Sequence, residues 1–182
     1  MSVDEILFLE KFNPAKTYKG VKSFDCEEKI INDFLSQLKR QCSRDNIYAE
    51  VLVSEKDEIL GFCTATIFQL TREMVPQQTY PYALPPTIAV MKIPMIGIDK
   101  KIQGNGWGKE LMQASLDYCL RAADTVSGIK GVYLDAKRER VDFYKRFGFE
   151  IIIEDDADSA IVPMLLTIDT LRKAAAERRA TA

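Results

Sequence analysis

The residues best suited to chemistry lie in the run Asp99-Lys100-Lys101-Ile102-Gln103-Gly104-Asn105-Gly106-Trp107-Gly108-Lys109, after a strand-like segment and before an amphipathic one. Glycines at alternate positions let backbone N–H groups converge without Cβ obstruction, and a helix N-terminus at the same point adds free donors and positive dipole. That geometry binds phosphate. The run lacks the Gly-Lys-Ser/Thr of a Walker A loop, and the dinucleotide fingerprint would need glycine where Lys109 stands. The pyrophosphate of another carrier fits better. From spacing alone a flexible loop is an equal reading. Gly108, however, falls inside the first helical turn at a cost of roughly 0.5–1 kcal/mol against alanine, which close ligand approach explains. Lys100, Lys101 and Lys109 surround the turn with positive charge.

The chain has no histidine in 182 residues, which removes most common zinc sites, every Ser-His or Cys-His nucleophile and the usual general base. Cys26, Cys42, Cys63 and Cys119 form no C-x-x-C pair and read as small buried hydrophobes, so no metal site is expected. With 47% hydrophobic and 29% charged residues the composition is that of an ordinary soluble protein, and no apolar run approaches the roughly 20 residues of a membrane span. Asp4, Glu5 and Glu10 stand where a secretory signal would be positive and apolar, so a cytoplasmic chain is expected. A net charge of −2 gives no global footprint for nucleic acid, and any basic surface must be local. At this length a single domain is the default expectation.

The elements that must position the glycine turn follow from periodicity. Ile30, Ile31, Phe34, Leu35 and Leu38 recur at helical spacing, which predicts one amphipathic helix over 25–40 with Asp25 and Glu28 as its capping signal. Residues 49–53 and 60–68 read as antiparallel strands joined by 54–58. Residues 71–86, holding Pro76, Pro81, Pro85 and Pro86, read as a loop long enough to cover a ligand. Residues 87–98 read as a strand bulged or splayed by Pro94 and Gly97. Leu111, Met112, Ser115, Leu116, Cys119 and Leu120 mark a core-facing helix over 109–123. A strand at 131–136, a short helix at 138–146 and strands at 149–153 and 161–168 complete the pattern, with a short, solvated, fraying helix in the tail from Asp169.

These residues resemble the GCN5-related N-acetyltransferase (GNAT) superfamily. Its acyl-CoA loop, Gln/Arg-x-x-Gly-x-Gly/Ala, is matched by Gln103-Gly104-Asn105-Gly106-Trp107-Gly108, and its FYxxxGF signature by Phe143-Tyr144-Lys145-Arg146-Phe147-Gly148-Phe149. The resemblance covers residues 49–168. It implies an α/β (α+β) GNAT fold, with a mixed central sheet splayed at the acyl-CoA strand and flanked by helices, as one domain over 1–182 with a solvated tail at 169–182. It also implies transfer of acetyl from acetyl-CoA, as co-substrate and without metal, to a primary amine. Backbone groups of Ile96, Gly97 and Ile98 would pair with the pantetheine arm and polarise the thioester carbonyl, while Gln103, Gly104, Asn105, Gly106, Trp107, Gly108 and Lys109 would hold the pyrophosphate. Tyr144 is the expected general acid, protonated at neutral pH because an ordinary tyrosine titrates near pH 10. It is expected a quarter-turn away from an inward face made by Phe143 and Phe147. For the base the candidates are Asp99, Asp135, ordered water, or solvent acting on a low-pKa amine.

A narrower resemblance lies in Phe24-Asp25-Cys26, Ile31-Asn32-Asp33-Phe34-Leu35, Gln41 and a strand from Ala49, which is similar to the GNAT toxins of bacterial toxin–antitoxin pairs. That branch acetylates aminoacyl-tRNA, is silenced by a ribbon-helix-helix antitoxin, and by family habit is a homodimer. A free aminoacyl α-amine has a lower pKa than lysine, which suits an enzyme with no evident base. The chain departs from the branch at Pro94-Met95-Ile96-Gly97-Ile98-Asp99, where an arginine is usual, and in its slight acidity. Residues 130–146 are locally positive through Lys130, Lys137, Arg138, Arg140, Lys145 and Arg146, which reads equally as a solvated helix or an RNA-facing patch. A GNAT enzyme of a small-molecule or protein amine, and a non-catalytic acyl-CoA-binding module, are the competing readings.

Overall fold

The computed structural model describes residues 6–153 and 158–182; Asp4 and Glu5, read against a secretory signal, lie outside the described residues. Two compact units divide the chain, one comprising the described residues up to Thr66 with Pro94–Ser115, the other Ile67–Ile93 with the described part of Leu116–Ala182.

In the first unit β1 (Leu7–Lys11), β2 (Tyr48–Ser54) and β3 (Ile59–Thr71) are antiparallel neighbours, and β5 (Ile96–Ile98) pairs with β3 from Gly61↔Ile98 to Cys63↔Ile96. Alternation along β2 sends Val51 and Val53 into a core with Phe12, Phe24, Leu35, Leu38 and Phe62, while Leu52 faces Leu60 and Ile102 on the other side. The short strand β1 escaped sequence analysis because Leu7-Phe8-Leu9-Glu10-Lys11 alternates too briefly to be read. The single helix expected over 25–40 is two, α1 (Lys29–Leu35) and α2 (Leu38–Ser43). Ile31, Phe34, Leu35 and Leu38 pack on the core as expected, but Ile30 is turned outward and is 74% exposed. Glu28 is the N-cap residue and makes no side-chain cap; Asp25 is engaged elsewhere.

Helix α3 (Trp107–Thr125) is the one foreseen, starting two residues earlier, and buries Leu111, Met112, Ser115, Leu116 and Cys119 along one stripe. In the second unit β4 (Thr87–Lys92) lies between the end of β3 and β6 (Ile129–Lys137), followed by β8 (Ile161–Thr167) and β7 (Glu150–Ile151). β4 and β6 are parallel, β6 and β8 antiparallel, so the sheet is mixed and flanked by helices, as expected of the fold class. The proline-rich stretch 71–86 begins while β3 is still paired and contains two short 3₁₀ turns, Arg72–Met74 and Gln77–Thr79. It packs Val75 and Tyr80 against Ile88, Val90, Tyr133 and Leu165, so it is a folded cover for the sheet. The tail is also more ordered than expected. α5 (Ile168–Thr181) is capped by Thr167, whose hydroxyl oxygen accepts from Thr170 N, and buries Ile168, Leu171 and Ala175 at helical spacing. Among the described residues no helix is long and apolar enough to cross a membrane.

Candidate active site

The strand expected over 87–98 ends at Lys92 and restarts at Ile96 because its hydrogen-bond partners change across Pro94. Ile93 N donates to Tyr133 O at 3.0 Å, whereas Thr64 N donates to Met95 O at 2.9 Å and Met95 N to Thr64 Oγ1 at 3.1 Å. Proline has no N–H to lose at the changeover. Ile96, Gly97 and Ile98 then pair with β3, and Asp99 N donates to Leu60 O at 2.8 Å. Gly97 is required by close packing, since a Cβ there would meet Ile31 Cγ2 at 2.8 Å and Cys26 Sγ at 3.2 Å.

Buried Ile102 anchors the turn that follows, with Ile102 N donating to Asp99 O at 3.0 Å. Beyond it the loop is open. Gly104 and Gly106 have φ of 80° and 84°, and nothing lies within 4 Å of where their Cβ atoms would stand. Their reason is therefore conformational: only glycine adopts this backbone without strain. A Cβ on Gly108 would touch only Ile98 Cγ1, at 3.9 Å, so no protein atom accounts for glycine inside the first turn of α3. Side chains withdraw from the opening. Gln103 Nε2 donates to Ile98 O at 2.9 Å and Asn105 Nδ2 to Ile102 O at 3.2 Å, and Trp107 packs toward Leu52 and Leu60. What remains is main chain at the start of a 19-residue helix, whose first N–H groups have no carbonyl four residues earlier in a helical turn. Lys109 is exposed at the helix start. Lys100 and Lys101, expected to attract phosphate, are committed to Asp25 at 2.7 Å and Glu58 at 3.3 Å.

In the second unit the FYxxxGF segment forms α4 (Val141–Lys145) and the turn after it. The expected orientation is reversed: Val141 and Tyr144 are the buried residues, Tyr144 at 9% exposure, and Phe143 and Phe147 are half-buried. The helix ends at Lys145, so Phe147 is not on its face, and the inward stripe is the i, i+3 pair. Phe147 N and Phe149 N both donate to Tyr144 O, at 3.0 and 3.4 Å, and Gly148 N donates to Lys145 O at 2.9 Å. Gly148 closes this turn at φ 95°. Phe149 is thereby folded back edge-on to the Tyr144 ring at 6.0 Å, with Phe143 edge-on at 5.1 Å. The phenol is held by rings that fix its direction.

Both carboxylates considered as bases are occupied. Asp99, 1% exposed, accepts from Asp25 N through Oδ2 at 3.1 Å and from Lys101 N through Oδ1 at 2.9 Å, which is a structural role. Asp135 accepts from Tyr133 Oη at 2.6 Å and pairs with Lys92 Nζ at 3.0 Å. Lys92 also lies over the rings of Phe68 and Tyr133, at 4.7 and 5.4 Å. Burial, then the hydrogen bond to Asp135, holds the Tyr133 phenol above the usual tyrosine range. Sequence reasoning missed this cluster; the available signal was the i, i+2 spacing of Tyr133 and Asp135 on one strand face. Cys63 and Cys42 are unfit as nucleophiles, their thiols pushed up to about 12 and about 11 by burial. Around α4, Arg138, Arg140, Lys145 and Arg146 are exposed, with Glu139 and Asp142 among them. A further cleft of about 270 Å³ lies between Tyr80, Tyr82, Lys130 and Arg172; Arg172 is paired to Asp124 at 2.8 Å and to Asp169 at 3.3 Å, and Lys130 Nζ donates to Tyr82 Oη at 3.2 Å.

The profile of the acetyltransferase (GNAT) domain matches residues 47–151, more than half of the chain and the stretch that contains both the loop and Tyr144. A tRNA-acetylating toxin of Mycobacterium tuberculosis (strain ATCC 25618 / H37Rv) is 30% identical over 69 residues, 37% of this chain; the matched segment spans 41% of that relative's length. A solved bacterial toxin superposes with a TM-score of 0.87 at 28% identity, covering 93% of this chain and 95% of its own. A tyrosine-to-phenylalanine mutant of KacT superposes with a TM-score of 0.80 at 27% identity, covering 92% of this chain and 98% of its own. The chain belongs to the GNAT acetyltransferase family.

Proposed function

We propose that the chain transfers acetyl from acetyl-CoA to the α-amine of aminoacyl-tRNA, as a toxin-like inhibitor of translation. The observation that carries the donor half is the loop at 103–109, where two positive-φ glycines and a helix start offer main-chain donors with no Cβ in the way. The fit to a pyrophosphate is good, because Gly104 and Gly106 open onto free space and Gln103 and Asn105 turn their amides back onto the loop's own carbonyls. β5, paired with β3 along one edge, leaves its other edge for the amides of the pantetheine arm, with an N–H to polarise the thioester carbonyl. In the transfer the amine nitrogen bonds to the carbonyl carbon, the C–S bond breaks, and the Tyr144 proton passes to the departing sulfur while the amine's own proton goes to water.

The acceptor half rests on two supports. Two similar proteins are toxins, one of them tRNA-acetylating. The second support is chemical: the chain has no histidine, and Asp99 and Asp135 are each already engaged by protein donors. Such a site suits an amine that carries a far larger deprotonated fraction at neutral pH than a lysine does, as an aminoacyl α-amine would. Arg138, Arg140, Lys145 and Arg146 would meet the tRNA phosphates, and a ribbon-helix-helix antitoxin would be the silencing partner. The net charge of −2 favours the second reading, a small-molecule or protein amine as acceptor. Labelled acetyl-CoA incubated with charged tRNA, uncharged tRNA and a panel of amines decides between them. Label confined to charged tRNA is expected; label on the amines alone would replace the tRNA reading.

A further inference from the structure

The words Phe24-Asp25-Cys26 and Ile31-Asn32-Asp33 have no place in the chemistry above, yet the structure ties them to the entry of the glycine loop. Asp25 Oδ1 accepts from Glu27 N at 2.9 Å and Asn32 Nδ2 at 3.1 Å, and its Oδ2 accepts from Lys100 Nζ at 2.7 Å. The main chain is bonded too, with Asp25 N donating to Asp99 Oδ2 at 3.1 Å and Lys100 N to Asp25 O at 2.8 Å. Asn32 Oδ1 accepts from Cys26 N at 3.0 Å, which fixes the amide that holds Asp25. Glu27, at φ 67°, is a non-glycine residue in the left-handed region, kept there by its N–H bond to Asp25.

The loop has little packing of its own. No atom lies within 4 Å of where a Cβ on Gly104 or Gly106 would stand, and Gly106 O is held by Lys109 N and Glu110 N of α3, so the direction of the loop's N–H groups is inherited from the anchored ends, Asp99–Ile102 before and α3 after. We infer that Asp25, Asn32 and Asp99 form a clamp that positions residues 103–109 for a pyrophosphate, and so set acetyl-CoA affinity and not the chemical step. The inference rests on the proposed role of the loop. A binding surface that samples other conformations binds in proportion to its competent fraction, so loosening the clamp weakens affinity without touching the reacting groups.

The sign of the effect separates positioning from simple electrostatics. Removing the Asp25 carboxylate releases Lys100 as a free cation near the phosphates, which by charge alone would tighten binding. The clamp predicts weakening.

The test is calorimetric titration of acetyl-CoA into the full-length chain as wild type, Asp25→Ala, Asn32→Ala, Gly106→Val, and Lys29→Ala, a control from the exposed Lys29–Asp33 pair on the same helix. Asp25→Ala and Asn32→Ala are expected to weaken binding roughly tenfold, the loss of one or two charge-assisted hydrogen bonds, and to raise KM for acetyl-CoA while kcat at saturation falls less than about twofold. Lys29→Ala is expected to bind as wild type. If Gly106→Val weakens binding and the clamp variants bind as well as wild type or better, the clamp is wrong and the loop assignment stands. If Gly106→Val also binds as wild type, the loop assignment itself fails. Should Asp25→Ala not fold, Asp25→Asn keeps the Oδ1 acceptor and loses the ion pair; about threefold weaker binding is expected, and unchanged affinity overturns the clamp.

Discussion

Gly104 and Gly106 stand at φ 80° and 84° with open space where a Cβ would be, whereas Gly148, at φ 95°, has Leu166 Cδ1 and Thr170 Cγ2 at 3.2 Å from that position. The same backbone freedom serves opposite ends. In residues 103–109 it withdraws side chains and presents main chain; in residues 141–149 it folds the chain back so that Phe149 reaches the Tyr144 ring. One region is therefore open main chain, the surface proposed for a ligand, and the other a packed support for a single phenol. Damage to the first belongs in an affinity, and damage to the second in a rate or a stability.

Tyr144→Phe is the sharpest way to break that comparison. It keeps the ring contacts and removes the proton, so acetyl transfer should fall on the order of 10²–10⁴-fold with acetyl-CoA affinity unchanged. Retained turnover would remove the general-acid role. Gly106→Val fills with a β-branched side chain the open space proposed for the pyrophosphate and should weaken acetyl-CoA binding by roughly 10–100-fold, while stability falls by no more than the about 1–3 kcal/mol that left-handed backbone costs at φ 84°. Gly148→Ala combines left-handed backbone with contacts at 3.2 Å and should instead lower stability by about 1–2 kcal/mol in denaturant unfolding. An affinity loss at Gly148 or an unchanged affinity at Gly106 would invert the contrast. Thr167→Ala removes only the N-cap of α5 and should cost about 1 kcal/mol with both affinity and rate untouched.

What could be read from the sequence divides along the same line. The glycine loop's shape was legible because it is carried by backbone, and glycine spacing reports backbone directly. Pro94 likewise announced the change of partners between Ile93 and Met95. The orientation of Tyr144 was not legible, since it depends on where α4 stops, and nothing in Phe143-Tyr144-Lys145-Arg146-Phe147 marks Lys145 as the last helical residue. Stretch 71–86 hid its role for a related reason: Val75 and Tyr80 pack on β4, β6 and β8, and their partners are distant in sequence. The engagement of Asp25 by Lys100 and Asn32, and of Asp135 by Lys92 and Tyr133, is tertiary in the same sense. An Asp-x-x-Glu pattern before an apolar run pointed to a cap, and long-range partners outcompeted it.

In the proposed mechanism this chain supplies donor binding and an acid, while the acceptor brings its own basicity. The direct measurement is the pH dependence of kcat/KM, at saturating acetyl-CoA, for charged tRNAs whose aminoacyl α-amines differ in pKa. The expected result is an ascending limb whose inflection moves with the amine from one substrate to the next. An inflection fixed at one pH for every acceptor would reveal a base on the protein and contradict it.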